Sequence, residues 1–248
     1  NEILYEQRRV NVDRKIYGVT WDKGEISTMT RTDSAVDLVA NIGIDGALVT
    51  NSFDTLPLWQ FEEVTDRFNN RFMRIPKGYL HKPEGANYKR SRVSQYRHPG
   101  FYLPMCFWDE ANKKELPYID VAKYPASLSS DGTKLESKPN TFPLINQNIV
   151  QMRTLAKANG AGYQQLDIHV VDYLTALWEI EFATLNSQAV MRGFADGQYS
   201  ASHVATVTET AVNRIIVATA TAALYRVGQS IGIGTTLGGN EIASYRVI

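Results

Sequence analysis

The chain has 248 residues, long enough to bury a substantial core in one large domain or two small ones. Its 26 lysines and arginines balance its 26 aspartates and glutamates, so no net charge draws it to nucleic acid or to an anionic membrane surface. A lone cysteine, Cys106, excludes an intrachain disulfide and a paired-cysteine metal knuckle, and no apolar run approaches the ~20 residues of a bilayer span.

The chain opens on Asn1 with no signal-peptide pattern, which reads as a processed chain or a piece of a longer one. Residues 1–30 form an extended lead-in. Arg9-Val10-Asn11-Val12-Asp13 alternates as a strand does, and Tyr17-Gly18-Val19-Thr20-Trp21 is a second short strand closed by a turn at Asp22-Lys23-Gly24. From about 55 to 125, prolines recur too often for long helices, and short strands joined by irregular loops are expected. The exception is Phe61-Glu62-Glu63-Val64-Thr65, expected as a brief helical turn.

Two helices follow. One runs from about Asn148 to Lys157, with Ile149, Met152, Leu155 and Ala156 on one stripe and Asn159-Gly160 ending it. The other starts at Asp167 as N-cap and carries Val171, Leu174, Trp178, Glu181 and Leu185 at helical steps, with Leu177 beside them, as the face turned to a sheet. After Gly197 the composition becomes rich in threonine, valine, alanine and glycine. Strands are expected at 214–219 and 230–234, a hairpin turn at Leu237-Gly238-Gly239-Asn240, and mostly strand over Ala218–Leu224. These patterns predict an α+β fold with three parts: an extended segment 1–30, a domain 31–200, and a small β-rich unit 201–248.

No catalytic constellation is visible. The G-x-S-x-G elbow is absent, and His81, His98, His169 and His203 stand far apart without an H-x-x-x-H pair. His169 falls in the first turn of the second helix, where capping or packing is its expected role. Glu179 and Glu181 lie two apart on that helix and so point in different directions. The glycines from Gly228 to Gly239 lack the lysine of a phosphate loop and suit turns and bulges. The basic cluster Lys89, Arg90, Arg92 and Arg97, beside Tyr88 and Tyr96, reads as solvated loop, not a nucleic-acid surface. Cys106 sits in an apolar run and is expected as a buried small hydrophobe. Trp59, Tyr79, Tyr88, Tyr96, Tyr102 and Trp108 either fill the core of a domain poor in regular structure or present rings to a sugar or protein partner. The residues therefore name no catalytic, metal or cofactor site, and the ligand-binding residues stay unassigned.

The order of motifs carries a resemblance. Tyr118-Ile119-Asp120-Val121-Ala122-Lys123-Tyr124-Pro125-Ala126-Ser127, Leu135-Glu136-Ser137-Lys138-Pro139, Gly162-Tyr163-Gln164-Gln165-Leu166 and Glu181-Phe182-Ala183-Thr184-Leu185-Asn186-Ser187-Gln188 resemble the C-type-lectin-like fold, in the form shared by formylglycine-generating enzymes and phage tail or adhesin proteins. The upstream segments Tyr17–Trp21, Thr30–Asp33, Met73–Lys77 and His98–Phe101 bring it nearer the phage form, and together they cover about residues 15–200. The resemblance implies two helices against a small irregular antiparallel sheet in a homo-oligomeric bacteriophage virion protein: a tail fibre, a tail tip or a capsid-attached component, without enzymatic activity or cofactor. Its partners would be copies of itself, other virion proteins and, where it binds a receptor, a host cell-surface glycan or protein, with no nucleic acid and no membrane insertion. The oxidase activity of the superfamily needs a cysteine pair and is not carried over to a chain with Cys106 alone. The calcium-lectin motifs are not matched either: Lys138-Pro139-Asn140 and Trp108-Asp109-Glu110 differ in identity and order. An envelope-polysaccharide hydrolase or depolymerase, and a cellular lectin-like binding module, are the alternatives.

Overall fold

The computed structural model describes residues 14–41, 51–190, 203–225, 230–236 and 242–246. The strand expected at Arg9–Asp13 and the turn expected at Leu237–Asn240 lie outside the described residues. The chain divides into two compact units, the first of residues 1–40 and 51–185, the second of 41–50 and 186–248. At the coarse level the architecture is mixed: mostly antiparallel sheets, few helices and no barrel among the described residues.

In unit 1 the centre is a four-stranded antiparallel sheet. It is built from β1 (Tyr17–Asp22), β2 (Thr30–Asp33), β5 (Tyr79–His81) and β6 (Tyr88–Ser94) in the order β2-β1-β6-β5. Alternation in β1 buries Tyr17, Val19 and Trp21 on one face, as a half-buried strand requires. A second sheet joins β3 (Glu62–Thr65), β4 (Arg71–Pro76) and β9 (Tyr118–Ala122), with β4 in the middle. Two small hairpins, β7 (Trp108–Asp109) with β8 (Lys114–Glu115) and β10 (Ser127–Leu128) with β11 (Leu135–Glu136), complete the strands among the described residues of this unit. The brief helical turn expected at Phe61–Thr65 is not there. Glu62, Glu63, Val64 and Thr65 pair instead with Arg74, Met73, Phe72 and Arg71 across β3–β4, and this pairing overrides the local preference of two glutamates.

Helix α1 (Ile149–Lys157) starts on a capping box: Asn148 accepts from the Gln151 amide and the Gln151 side chain accepts from the Asn148 amide. Of its expected stripe only Ala156 is buried; Met152 and Leu155 are half-buried and Ile149 is exposed, because the helix rests on β11 and not on the large sheet. Helix α2 (Ile168–Phe182) begins at Asp167, whose carboxylate accepts from the His169 and Val170 amides. It packs on β1 and β6 through a face that overlaps the expected one only in part: Leu177 is buried and Leu174 packs against the core, as expected, but the centre of the face lies elsewhere. Val170, Tyr173, Ala176, Leu177 and Ile180 are buried, whereas Val171 is exposed and Leu185 lies beyond the helix end. The core therefore gathers Val19, Val93, Phe53, Leu58, Leu80, Phe107, Tyr173, Leu177 and Ile180.

Unit 2 contains α3 (Ser187–Val190), α4 (Thr219–Ala222) and the antiparallel pair β12 (Ser230–Ile233) and β13 (Ala243–Arg246). The strand expected at 230–234 is present. The segment Ala218–Leu224, expected as mostly strand, carries α4 instead, and 214–217 form no strand. Alanines favour the helix more than the interspersed threonines oppose it.

Candidate functional site

The side chains of unit 1 with the most chemistry gather in four clusters, each built by residues far apart in sequence. The first runs across one end of the four-stranded sheet, from Asp33 on β2 to His81 on β5. Arg92 on β6 holds Asp33 at the end of β2 in a two-point pair, Nη2–Oδ1 2.7 Å and Nε–Oδ2 3.1 Å. Gly18 on β1 makes room for it, since a Cβ there would stand 2.6 Å from Asp33 Oδ2. Burial pushes the Asp33 carboxyl up, but the hydrogen bonds from Arg92 and Thr32 outweigh it and leave its pKa below the ordinary aspartate value. The same guanidinium lies over the Phe101 ring at 5.6 Å and reaches His81 Nδ1 at 3.4 Å. The rings of His81 and His98 each pack on Phe101 at 5.2 Å, and His98 Nε2 lies 3.0 Å from Ser94 Oγ. Burial lowers both imidazole pKa values, and the charges of Arg92 and Arg90 at His81 and of Arg14 and Arg92 at His98 lower them further.

The second cluster centres on Glu115 at the end of β8. Its carboxylate accepts from Lys77 Nζ at 2.7 Å, Tyr79 Oη at 2.5 Å and Arg97 Nη2 at 3.1 Å. Hydrogen bonds from Lys77 and Tyr79 hold it below the usual glutamate range. The third closes the end of α2. Arg31 donates from Nε to the Ile180 carbonyl at 3.1 Å and from Nη2 to the Glu181 carbonyl, while Glu181 Oε1 accepts from Asn51 Nδ2 at 2.8 Å. Burial pushes the Glu181 carboxyl up. The fourth is Asp66, which accepts from the Phe68 and Asn70 amides, from Asn70 Nδ2 and from Tyr163 Oη, all within 3.0 Å.

The aromatic candidates separate residue by residue. Trp59 and Tyr79 are buried, and Trp59 meets Phe53 and Tyr17 edge-on at 4.9 and 5.5 Å. Tyr88, Tyr96 and Tyr102 are exposed; Arg90 and Arg14 lie over the first two rings at 6.0 and 5.9 Å. Trp108 is half-buried, its indole N–H donating to Glu110 at 2.8 Å, while Asp109 accepts from the Ala111 and Asn112 amides to shape the β7–β8 turn. Of the basic cluster, Arg92 and Arg97 belong to the first two assemblies and are not simply solvated. Tyr118 is an exposed ring outside those six candidates, and it carries the Arg74 guanidinium at 3.7 Å while Arg74 holds Asp120 at 2.9 Å.

Glu179 and Glu181 do part ways on α2: Glu179 is buried and accepts from the Ser91 hydroxyl, whereas Glu181 faces Asn51. His169 is exposed on the first turn, so the capping there comes from Asp167. In unit 2, His203 Nδ1 lies 2.7 Å from Tyr225 Oη. Cys106 is half-buried against the core, and burial, reinforced by Asp167, pushes its thiol up to about 12, which keeps it protonated and inert. Among the described residues no group of three or more histidines, cysteines and carboxylates converges as metal ligands would, and no helix is long and apolar enough to cross a membrane.

No family model, no curated protein and no solved structure matches the chain.

Proposed function

We propose that the chain is a non-catalytic structural protein of a bacteriophage particle. In this reading it is a tail-fibre, tail-tip or capsid-attached component, built on a C-type-lectin-like domain and assembled with copies of itself and other virion proteins. The observation that carries the reading is how the reactive side chains of unit 1 are employed. Asp33, Asp66, Glu115, Asp120, Glu179 and Glu181 each accept hydrogen bonds that tie a strand, loop or helix to another element. Carboxylates engaged in this way hold a loop-rich domain rigid. This use supports a structural role for them over general acid–base work, which needs a group within reach of a substrate proton. The mixed antiparallel architecture with a capped helix on a small sheet is compatible with the lectin-like core, and the motif order from Tyr17 to Gln188 favours the phage form of it.

Exposed apolar residues in unit 2 favour assembly. Val204 is 81% exposed and Ile242 65%, with Val207, Val212 and Ile215 also open, a pattern that a partner surface would cover. Receptor binding is a role added to this one, with Tyr88, Tyr96, Tyr102 and Tyr118 as the rings available for stacking on a host glycan or protein.

Incubating the purified protein with host envelope polysaccharide and measuring new reducing ends separates this reading from a depolymerase. No release above the buffer control is expected. Release that a Glu115→Gln or Asp120→Asn substitution abolishes would overturn the reading.

A further inference from the structure

The four-stranded sheet ends at β5, whose outer edge is bridged, among the described residues, by the loop that carries Tyr102. The Leu80 amide donates to the Tyr102 carbonyl at 2.9 Å and the Tyr102 amide to the Leu80 carbonyl at 2.8 Å. An open strand edge offers unpaired amides and carbonyls to any other chain, so what holds this loop decides whether the edge is available. We propose that His81 is an acid-sensitive latch: while neutral it pins the 98–102 loop over the β5 edge, and on protonation it releases the loop and opens the edge.

Three features of the geometry carry this. First, a guanidinium has donors only, so the contact between Arg92 Nη1 and His81 Nδ1 at 3.4 Å exists only while Nδ1 keeps its lone pair. A proton there turns an acceptor into a second cation facing Arg92. Second, the loop crosses directly over the ring. Gly100, at φ +81°, passes so close that a Cβ would stand 3.2 Å from His81 Nε2, and the Phe101 ring packs on the imidazole at 5.2 Å. Third, the charge around it is already positive. Arg92 and Arg90 on β6 face His81, and Asp33 is the carboxylate they share, already held at both oxygens by Arg92. On the far side of Phe101, His98 faces Arg14 and Arg92 with the Ser94 hydroxyl as its polar neighbour. Ser94 Oγ also lies 2.7 Å from the Lys15 carbonyl. If Ser94 gives its proton to that carbonyl, His98 can donate Nε2–H to the hydroxyl whether neutral or charged. His98 therefore adds repulsion in acid without losing its contact, and His81 is the group whose contact breaks. Lys82, next along the chain, is paired with Asp172 on α2 and leaves the latch charge unchanged.

The sign follows from linkage. An imidazole whose proton affinity is lowered in the closed state favours closure above its ordinary pKa, and this preference fades as the pH falls through the lowered value.

The test is amide hydrogen exchange, corrected for intrinsic rates, at pH 7.5 and 5.0 on the whole chain. Protection at Leu80 and Tyr102 should fall in acid by about tenfold for each unit by which the His81 proton affinity differs between closed and open states, while protection at Val19 in the central strand holds. The loss should follow the His81 ring titration read by NMR. His81→Gln keeps an acceptor for Arg92 and cannot titrate, so it should abolish the acid response. His81→Lys should show low protection at both amides already at pH 7.5. His98→Gln should keep most of the response. The proposal is overturned if Leu80 and Tyr102 keep their protection at pH 5.0, if Val19 loses protection in step with them, or if His81→Gln responds as the wild type does. Should either variant fail to fold, the wild-type comparison of the two edge amides with Val19 decides alone.

Discussion

Gly78 sits between β4 and β5 where the core leaves no space for a side chain. A Cβ at this position would stand 2.5 Å from Tyr173 Oη and 3.1 Å from Leu58 Cδ2, inside the ~3.5 Å at which nonbonded atoms touch. Tyr173 cannot step aside: it is fully buried, Phe107 packs edge-on against it at 4.9 Å, and its hydroxyl donates to the Pro76 carbonyl at 3.0 Å. Gly78→Ala therefore costs an overpacking term of about 1–3 kcal/mol. Breaking the hydroxyl–carbonyl bond adds about 1–3 kcal/mol for buried groups left unpaired. The smaller entropy of the unfolded alanine chain returns about 0.4–1 kcal/mol, for a net loss of about 1–6 kcal/mol. Tyr173→Phe alone loses one hydrogen bond, about 0.5–1.5 kcal/mol. In the double variant the overlapping oxygen is gone, so the two costs should fall short of their sum by about 1–3 kcal/mol. Urea denaturation of the four proteins of this cycle measures all three quantities. A Gly78→Ala variant within about 0.5 kcal/mol of wild type, or costs that simply add, would refute the packing argument.

Three further outcomes are expected. Arg31→Met removes the cation that closes the α2 carboxy-terminus and leaves the Ile180 and Glu181 carbonyls without their donor; a loss of about 1–3 kcal/mol in the urea midpoint analysis is expected, and a change under about 0.5 kcal/mol would contradict it. Asp66→Ala strands the Asn70 amide and side chain, at a residue only 1% exposed, together with the Tyr163 hydroxyl, and should cost about 2–4 kcal/mol; a stability equal to wild type would mean the turn holds without its acceptor. Glu181 titrates in the opposite sense to the paired carboxylates. Burial raises its folded pKa, so its contribution is fully present below the unfolded glutamate value and is lost as the pH rises through the folded one. Glu181→Gln should therefore gain on wild type between pH 4 and pH 7.5, and a relative loss over that range would reverse the assignment.

The two helices were legible because their signals are local: Asn148 with Gln151 is a complete capping box, and Asp167 caps α2 as its position suggests. The buried face of α2 was not legible. Its sequence is apolar nearly all round, so a stripe through Val171 and Trp178 is as good as one through Val170, Tyr173 and Ile180, and only the sheet chooses between them; Leu174 and Leu177 serve either. At Glu62–Thr65 the local preference gave way to pairing with β4, a partner that sequence reading does not reveal. The charged clusters were hidden for a related reason. Arg92 meets Asp33 across 59 positions and Lys82 meets Asp172 across 90, and no spacing rule connects such residues. Among the aromatics, proline and loop density located the region, but burial of Trp59 and Tyr79 against exposure of Tyr96 and Tyr102 is decided by the fold.

The central claim, a structural place in a bacteriophage particle, is tested most directly by the protein content of the particles themselves. Particles released from cells that encode this chain, purified by density gradient and digested for mass spectrometry, should yield its peptides at a fixed stoichiometry to the major capsid protein, including peptides from residues 51–185. Its absence from purified particles, with the protein abundant in the same lysate, would contradict the account.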